Sequence, residues 1–375
     1  MVIPKEVSFE YAGESLLIEL AKVIRTHFTV KLKARRMNLI PFCLLVCSLL
    51  PGHGEFIKTH DAVISRFAES DRKAKFSWST DQADGLKVLH FGKRPVLKYM
   101  SNFDTSSKKR RHETYKVFHH VYSPVSGTII TKGPYGKYTH HRGLFIGWNK
   151  TSSQKGKYDF WHCTKGVTQR HIRILKEEAD EKHGSMTTEI HWMNKEGKPV
   201  IVEERTIEVT LAKTTQGHPA WQIDWSTVLE SREGTIKLDG DRQHAGFQFR
   251  AAQEVAEKNS ARYLRPDKFP QQKKAYEVND RTDPNKHVNL GWLAMRISVQ
   301  EKQIAVEYHE DPSVPKPSRY SERPYGRFGA FFKTELKEGK PLEMHYRLFV
   351  SEGEPPSRKL IEKHHAEFLK DLKGD

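Results

Sequence analysis

Apolar and polar positions alternate along much of the chain beyond residue 60. Ile207, Val209 and Leu211 alternate with Thr206, Glu208 and Thr210. Trp221, Ile223, Trp225, Thr227 and Leu229 alternate with Gln222, Asp224 and Ser226, and Met344, Tyr346, Leu348 and Val350 with Glu343, His345 and Arg347. Successive strand side chains point to opposite faces, so a period of two predicts antiparallel strands with one face buried. Lys195-Glu196-Gly197-Lys198-Pro199 and Lys337-Glu338-Gly339-Lys340-Pro341 punctuate these runs as turns. Helical spacing is clearest near the C-terminus, where Leu360, Ile361, His364, Phe368, Leu369 and Leu372 follow Pro355-Pro356-Ser357. No internal repeat or low-complexity linker divides the pattern. It predicts an all-β fold, a large antiparallel two-sheet β-sandwich with a C-terminal helix, as a single domain over residues 55–375. A sheet of that size commonly offers a concave face on which a ligand of several rings can lie.

The N-terminal pattern is different. Residues 38–50 form an apolar run of thirteen, preceded by Lys31, Lys33, Arg35 and Arg36 and followed by Pro51-Gly52-His53-Gly54. A basic flank, a short apolar stretch and small residues predict an export signal over residues 37–54, cleaved near Gly54. The run is shorter than the ~20 residues a membrane span needs. Residues 1–36 make an unusual leader, and Met37 is the favoured alternative start. The exported chain is expected to be periplasmic or secreted, with no stable membrane span. Of the 3 cysteines only Cys163 would remain, so no internal disulfide is expected.

Charge narrows the partners. The formal net charge is +16, and residues 1–54 carry seven Lys/Arg and four Asp/Glu, which leaves +13 for the remainder. The basic residues are scattered among acidic ones, and the dense run Lys108-Lys109-Arg110-Arg111 reads as a solvated loop after Asp104-Thr105-Ser106-Ser107. Nucleic acid is therefore not the expected partner; an acidic substrate fits better.

Histidine makes up 20 of 375 residues and is clustered. Phe118-His119-His120-Val121-Tyr122-Ser123-Pro124 is followed by Thr139-His140-His141-Arg142-Gly143-Leu144, and then by Asp159-Phe160-Trp161-His162. Neutral imidazole takes up or releases a proton, or ligates a metal, near neutral pH. Proton transfer, metal ligation and hydrogen bonding to hydroxyls all remain open for His119, His140, His141 and His244. If His140 and His141 occupy a strand, only one of them reaches a given face. Trp148, Phe160, Trp161 and Tyr325 are candidates to stack on sugar rings, against ordinary core burial. Arg142, Arg250 and Arg327 are candidates to fork onto substrate oxygens, with Asp159 and His162 as further polar contacts. No HExxH, HxH or facial-triad spacing appears, and no nucleophile elbow, phosphate loop or dinucleotide fingerprint.

Five blocks in order over roughly residues 90–352 carry a family resemblance. They are Phe118-His119-x-x-Tyr122-Ser123-Pro124, His140-His141-Arg142-Gly143-Leu144, Asp159-Phe160-Trp161, His244-Ala245-Gly246-Phe247-Gln248-Phe249-Arg250 and Tyr325-Gly326-Arg327-Phe328-Gly329. Together they resemble a soluble, exported bacterial family labelled methane oxygenase PmoA. A methane monooxygenase subunit spans the membrane several times, so the label does not describe an activity for this chain. The resemblance implies a β-sandwich similar to the galactose-mutarotase supersandwich, and a carbohydrate-related role. One departure stands out: Lys137-Tyr138-Thr139 occupies the place where the family usually has Asp-His-Pro.

These readings lead to a carbohydrate-active protein, a hydrolase, lyase or epimerase using His119, His140, His141 or His244 as acid and base. Arg142, Arg250, Arg327, Asp159, Trp161, His162 and Tyr325 would bind the substrate. A non-catalytic sugar-binding protein and a metal-dependent oxygenase or hydrolase are the alternatives. No cofactor and no tightly held metal are expected, because no compact ligand motif is present and Lys137-Tyr138 stands where the family has Asp-His.

Overall fold

The computed structural model describes residues 74–267, 276–277 and 287–374. The expected leader (1–36) and export signal (37–54) lie outside them. Among the described residues, sixteen of the twenty strands form two eight-stranded antiparallel sheets. The first runs in the order β1 (Phe76–Thr80), β2 (Lys87–Phe91), β3 (Arg94–Met100), β4 (Phe118–Val121), β5 (Leu144–Trp148), β13 (Ala245–Arg250), β18 (Arg327–Phe331), β17 (Arg319–Arg323). The second runs β14 (Arg262–Leu264), β15 (Trp292–Val299), β16 (Lys302–Glu310), β20 (Leu342–Glu352), β11 (Pro219–Ser231), β10 (Pro199–Lys213), β9 (His183–Met193), β8 (Thr168–Ala179). A small sheet joins β19 (Thr334–Leu336), β12 (Ile236–Asp239), β6 (Lys150–Ser152) and β7 (Lys157–Tyr158).

The alternation seen in the sequence is what packs the two large sheets together. Trp221, Ile223, Trp225, Thr227 and Leu229 on β11, and Met344, Tyr346, Leu348 and Val350 on β20, are all buried. Their rings meet rings of the first sheet. Trp221 lies 6.0 Å from Phe91, Trp225 4.7 Å from Phe247, and Tyr346 4.6 Å from Phe247, centroid to centroid. Offset and tilted aromatic pairs at these separations add to the gain from burying apolar area. The result is a large two-sheet β-sandwich, all antiparallel.

The expected turn at Lys195–Pro199 closes the hairpin between β9 and β10, with Gly197 at φ +76. The C-terminal helix (Arg358–Asp371) begins where the Ser357 hydroxyl accepts the Leu360 N–H, and it buries Ile361 and Phe368. One local reading changes: Lys108–Thr114 is a short helix, α1, and not a loop. Ser107 caps it, and Arg110 pairs with Asp104 and Glu113 at 2.8 Å, which holds the basic run in one turn-rich segment. No described helix is long and apolar enough to cross a membrane.

Candidate functional site

Each strand of the first sheet has an inner and an outer face. On β5, Leu144, Ile146 and Trp148 enter the inter-sheet core, whereas Phe145 joins Phe118 and Trp161 in a separate apolar cluster. On β13, Phe247 and Phe249 face the core, so Gln248 and Arg250 take the other side. On β18 the same argument puts Phe328 and Ala330 inside and Arg327 outside. Three connections cover this outer face: the segment 132–143 before β5, the turn 159–163 after β7, and the turn 241–244 before β13. Gly143 is where the first re-enters the sheet, and a Cβ there would collide with the carbonyl oxygen of His119.

These turns bring together histidines that are far apart in sequence. One ring nitrogen from each of His140, His162 and His244 lies within 4.8 Å of the others. Ring centroids are 5.2 Å apart for His140–His162, 5.0 Å for His162–His244 and 6.2 Å for His140–His244. Two of the three rings are oriented in the same way. His162 Nδ1 lies 2.8 Å from Asp159, and the Asp159 carboxylate also accepts the backbone N–H groups of Trp161 and His162. His244 Nδ1 lies 3.1 Å from Asp241, whose carboxylate accepts the Gln243 N–H and the Asn149 side-chain amide. A carboxylate on Nδ1 fixes the tautomer and leaves Nε2 free as a lone-pair donor, the arrangement seen around metal-bound histidines.

The electrostatics of His140 agree with ligation by a neutral ring. Burial is the largest cause that pushes His140 down to about 3, and its neighbours Lys116, His162, Arg250 and His244 add to it. A neutral imidazole is the form that binds metal. Burial opposes ionisation of Asp241, but the His244 contact, the Gln243 N–H and the Asn149 amide outweigh it and hold the carboxyl well below its ordinary range. Asp159 is lowered as well: burial opposes this, and the His162 contact outweighs it. A zinc–imidazole bond of ~2.0–2.1 Å places tetrahedral nitrogens about 3.4 Å apart. Closing from 4.8 Å asks for ring tilts on the order of 1 Å.

The remaining candidates are dispersed around this centre. His141 is buried, 4.6 Å from the His140 ring, and stacks on Tyr138 at 5.0 Å, with Tyr325 at 5.9 Å. His140 and His141 occupy a turn rather than a strand, so both rings reach the same region, contrary to the strand-based expectation. His119 does not join them. It points between the sheets, stacked 4.7 Å from Tyr99 and 5.6 Å from Trp225, because strand alternation assigns it to the core face of β4. Trp161 is 0% exposed, packed 4.5 Å from Phe145, so its ring is not presented to a sugar. Arg142 donates to the carbonyls of Thr139, His141 and His112, which makes it a brace for the turn rather than a substrate clamp. Arg250 and Arg327 lie beneath the 241–244 turn and donate to the carbonyls of Gln243 and Arg242, both at 3.3 Å.

Two site residues escaped the sequence reading. Asp241 is one, and its signal was available: Asp159-x-x-His162 and Asp241-x-x-His244 share a spacing. Lys116 is the other. It is buried with its ammonium 3.7 Å from the Phe145 ring centre and donates to the Trp161 carbonyl. Nothing in its sequence context marks it.

No curated protein matches this chain. Among solved structures, a provisionally named kojibiose phosphorylase from the human microbiome aligns at 8% identity with a TM-score of 0.27. The alignment covers 77% of this chain and 30% of that protein, so the chain spans under a third of its length. A similarity of that size carries no argument. A family model is a stronger finding: it matches residues 87–366, most of the chain and all three histidine turns, and its description names no oxygenase. The chain belongs to that family, DUF6807, a family of unknown function.

Proposed function

We propose that the protein is a metal-dependent, carbohydrate-active enzyme whose centre is His140, His162 and His244. The observation that carries this reading is the convergence of three imidazoles within 4.8 Å, two of them oriented by their own aspartate. Three histidines with an open fourth position are the donor set of a catalytic zinc site, and the same donors suit iron or copper. Such an ion would polarise a substrate oxygen or lower the pKa of a bound water, the chemistry of a hydrolase or lyase. His141, buried beside His140, lines the same centre. Tyr138 and Tyr325 supply half-buried rings at the rim for a sugar face. The absence of a compact motif, which spoke against a metal, loses its force because the ligands come from three separate turns. Export through residues 37–54 and a periplasmic or secreted location belong to the same proposal.

Elemental analysis after dialysis against chelator tests the centre. About one zinc, iron or copper per chain is expected, falling to about a tenth of that or less in His162→Ala. A wild-type protein that neither retains nor rebinds any of these metals overturns the proposal. A turnover screen of the metal-loaded protein against oligosaccharides then tests the sugar reading.

A further inference from the structure

The floor of the site holds a second unusual feature. Arg250 on β13 and Arg327 on β18 are directly opposite one another in the antiparallel register, and each is 1% exposed. Like charges at opposed positions destabilise a strand pair. Among the described residues neither guanidinium is in contact with a carboxylate, and Glu322 attracts Arg327 only at longer range. Arg250 donates to Gln248 Oε1 at 2.9 Å and to the carbonyls of Phe249 and Gln243; Arg327 donates to Ser321 Oγ at 2.9 Å and the Arg242 carbonyl. The buried Nε of each has no hydrogen-bond partner among the described residues. Guanidinium does not lose its proton in proteins, so both positive charges persist. Buried charges of this kind are ordinarily paired.

The pair lies against the histidine centre. Both arginines hold the turn that carries His244, and the Arg250 guanidinium is 5.1 Å from the Trp161 ring, itself 6.2 Å from His244. Arg327 lies 5.9 Å from the Tyr325 ring, which packs against Tyr138 and His141. Asp159 and Asp241, the carboxylates of the centre, are already committed to His162 and His244. A metal bound by three neutral imidazoles would add further positive charge.

We infer that the substrate of this centre is anionic, a sugar bearing a carboxylate, with its negative charge set against the Arg250–Arg327 pair. The inference rests on the metal-enzyme reading for the identity of the centre, and on the arginine pair for the charge. A preorganised positive floor discriminates between a uronic acid and the neutral sugar of the same shape, because only the former neutralises it. The anion takes the place of the carboxylate that Arg205 and Arg265 have in Glu203 and Glu322.

Calorimetric titration of zinc-loaded protein with sodium glucuronate and with glucose reads this directly. Glucuronate is expected to bind about tenfold more tightly or better, as charge-assisted recognition implies. Arg327→Gln should erase most of that preference and Arg327→Lys should retain much of it, the variants being compared with wild type at equal zinc occupancy. Removing one of two opposed like charges relieves repulsion, so Arg327→Gln is expected to fold. Equal affinities, no binding of glucuronate, or an undiminished preference in Arg327→Gln overturns the inference. Failure of the wild type to bind zinc sinks the metal reading instead, and the same titration of the metal-free protein still tests the arginine pair.

Discussion

Arg205 and Arg250 are both fully buried arginines on strands of one sandwich, and the fold treats them in opposite ways. Arg205 lies between the sheets, paired with Glu203 at 2.7 Å and 4.4 Å from the Trp225 ring. Glu203 in turn accepts from Trp192 Nε1 and the Thr227 hydroxyl. Arg265 likewise meets Glu322. Arg250 and Arg327, on the outer face of the first sheet, have only neutral acceptors. Where an arginine serves the core, the protein provides its counter-charge. Where it underlies the histidine centre, its hydrogen bonds go to neutral groups, as those of Arg142 do.

The largest test of that contrast is stability. Glu203→Gln leaves Arg205 as an uncompensated buried charge and should cost about 3–5 kcal/mol in denaturant unfolding. Arg327→Gln removes a charge that meets no described carboxylate directly and loses hydrogen bonds to neutral acceptors, and should cost about 1–2 kcal/mol. Equal losses in the two variants would break the distinction between a structural and a ligand-facing arginine.

A smaller effect separates the carboxylates by role. Asp241 and Glu203 each satisfy a neighbour, but Asp241 orients an imidazole. Asp241→Asn should weaken zinc affinity by about 10–100-fold, measured by chelator competition. Glu203→Gln, where it folds, should leave that affinity unchanged. An Asp241→Asn protein with wild-type zinc affinity would reduce the second aspartate–histidine pair to a turn-stabilising contact.

The smallest effect is a pH trend in the metal-free protein. Burial first, then nearby positive charge, pushes His120 down to about 4, and burial with Arg205 and His120 pushes His119 well below its ordinary value. A histidine whose folded pKa lies below its unfolded value of ~6.5 binds its proton more tightly when unfolded. Its stabilising contribution is therefore complete above pH ~6.5 and is lost as the pH falls towards about 4. Tm should decline steadily over that window, and His120→Gln should flatten part of the decline. A Tm constant from pH 7 to 4.5 would show that neither ring is buried as described.

The sandwich was legible because its signal is local and repeated. Period-two runs such as Trp221–Leu229 name their own buried face, and the Gly-containing turns between them mark the hairpins. His119 was open to a correct reading by the same rule, since Tyr99 and Trp225 await it on the core side of β4. Its histidine neighbours drew it into the site instead. The Asp-x-x-His spacing at residues 159–162 and 241–244 was present as well, and each is a self-contained turn in which the carboxylate takes backbone N–H groups and the ring.

What the sequence alone determined, then, is whatever is built from neighbours in the chain: the strands, their buried faces, the C-terminal helix with its Ser357 cap, and the two aspartate–histidine turns. What only the tertiary structure decided is which of these meet. His140, His162 and His244 come from connections separated by tens of residues, and strand order places β5 beside β13 and β13 beside β18. The pairing of Arg250 with Arg327 depends on the same register. No period or spacing encodes strand order, because it follows from how the apolar faces of sixteen strands close over one another as a whole.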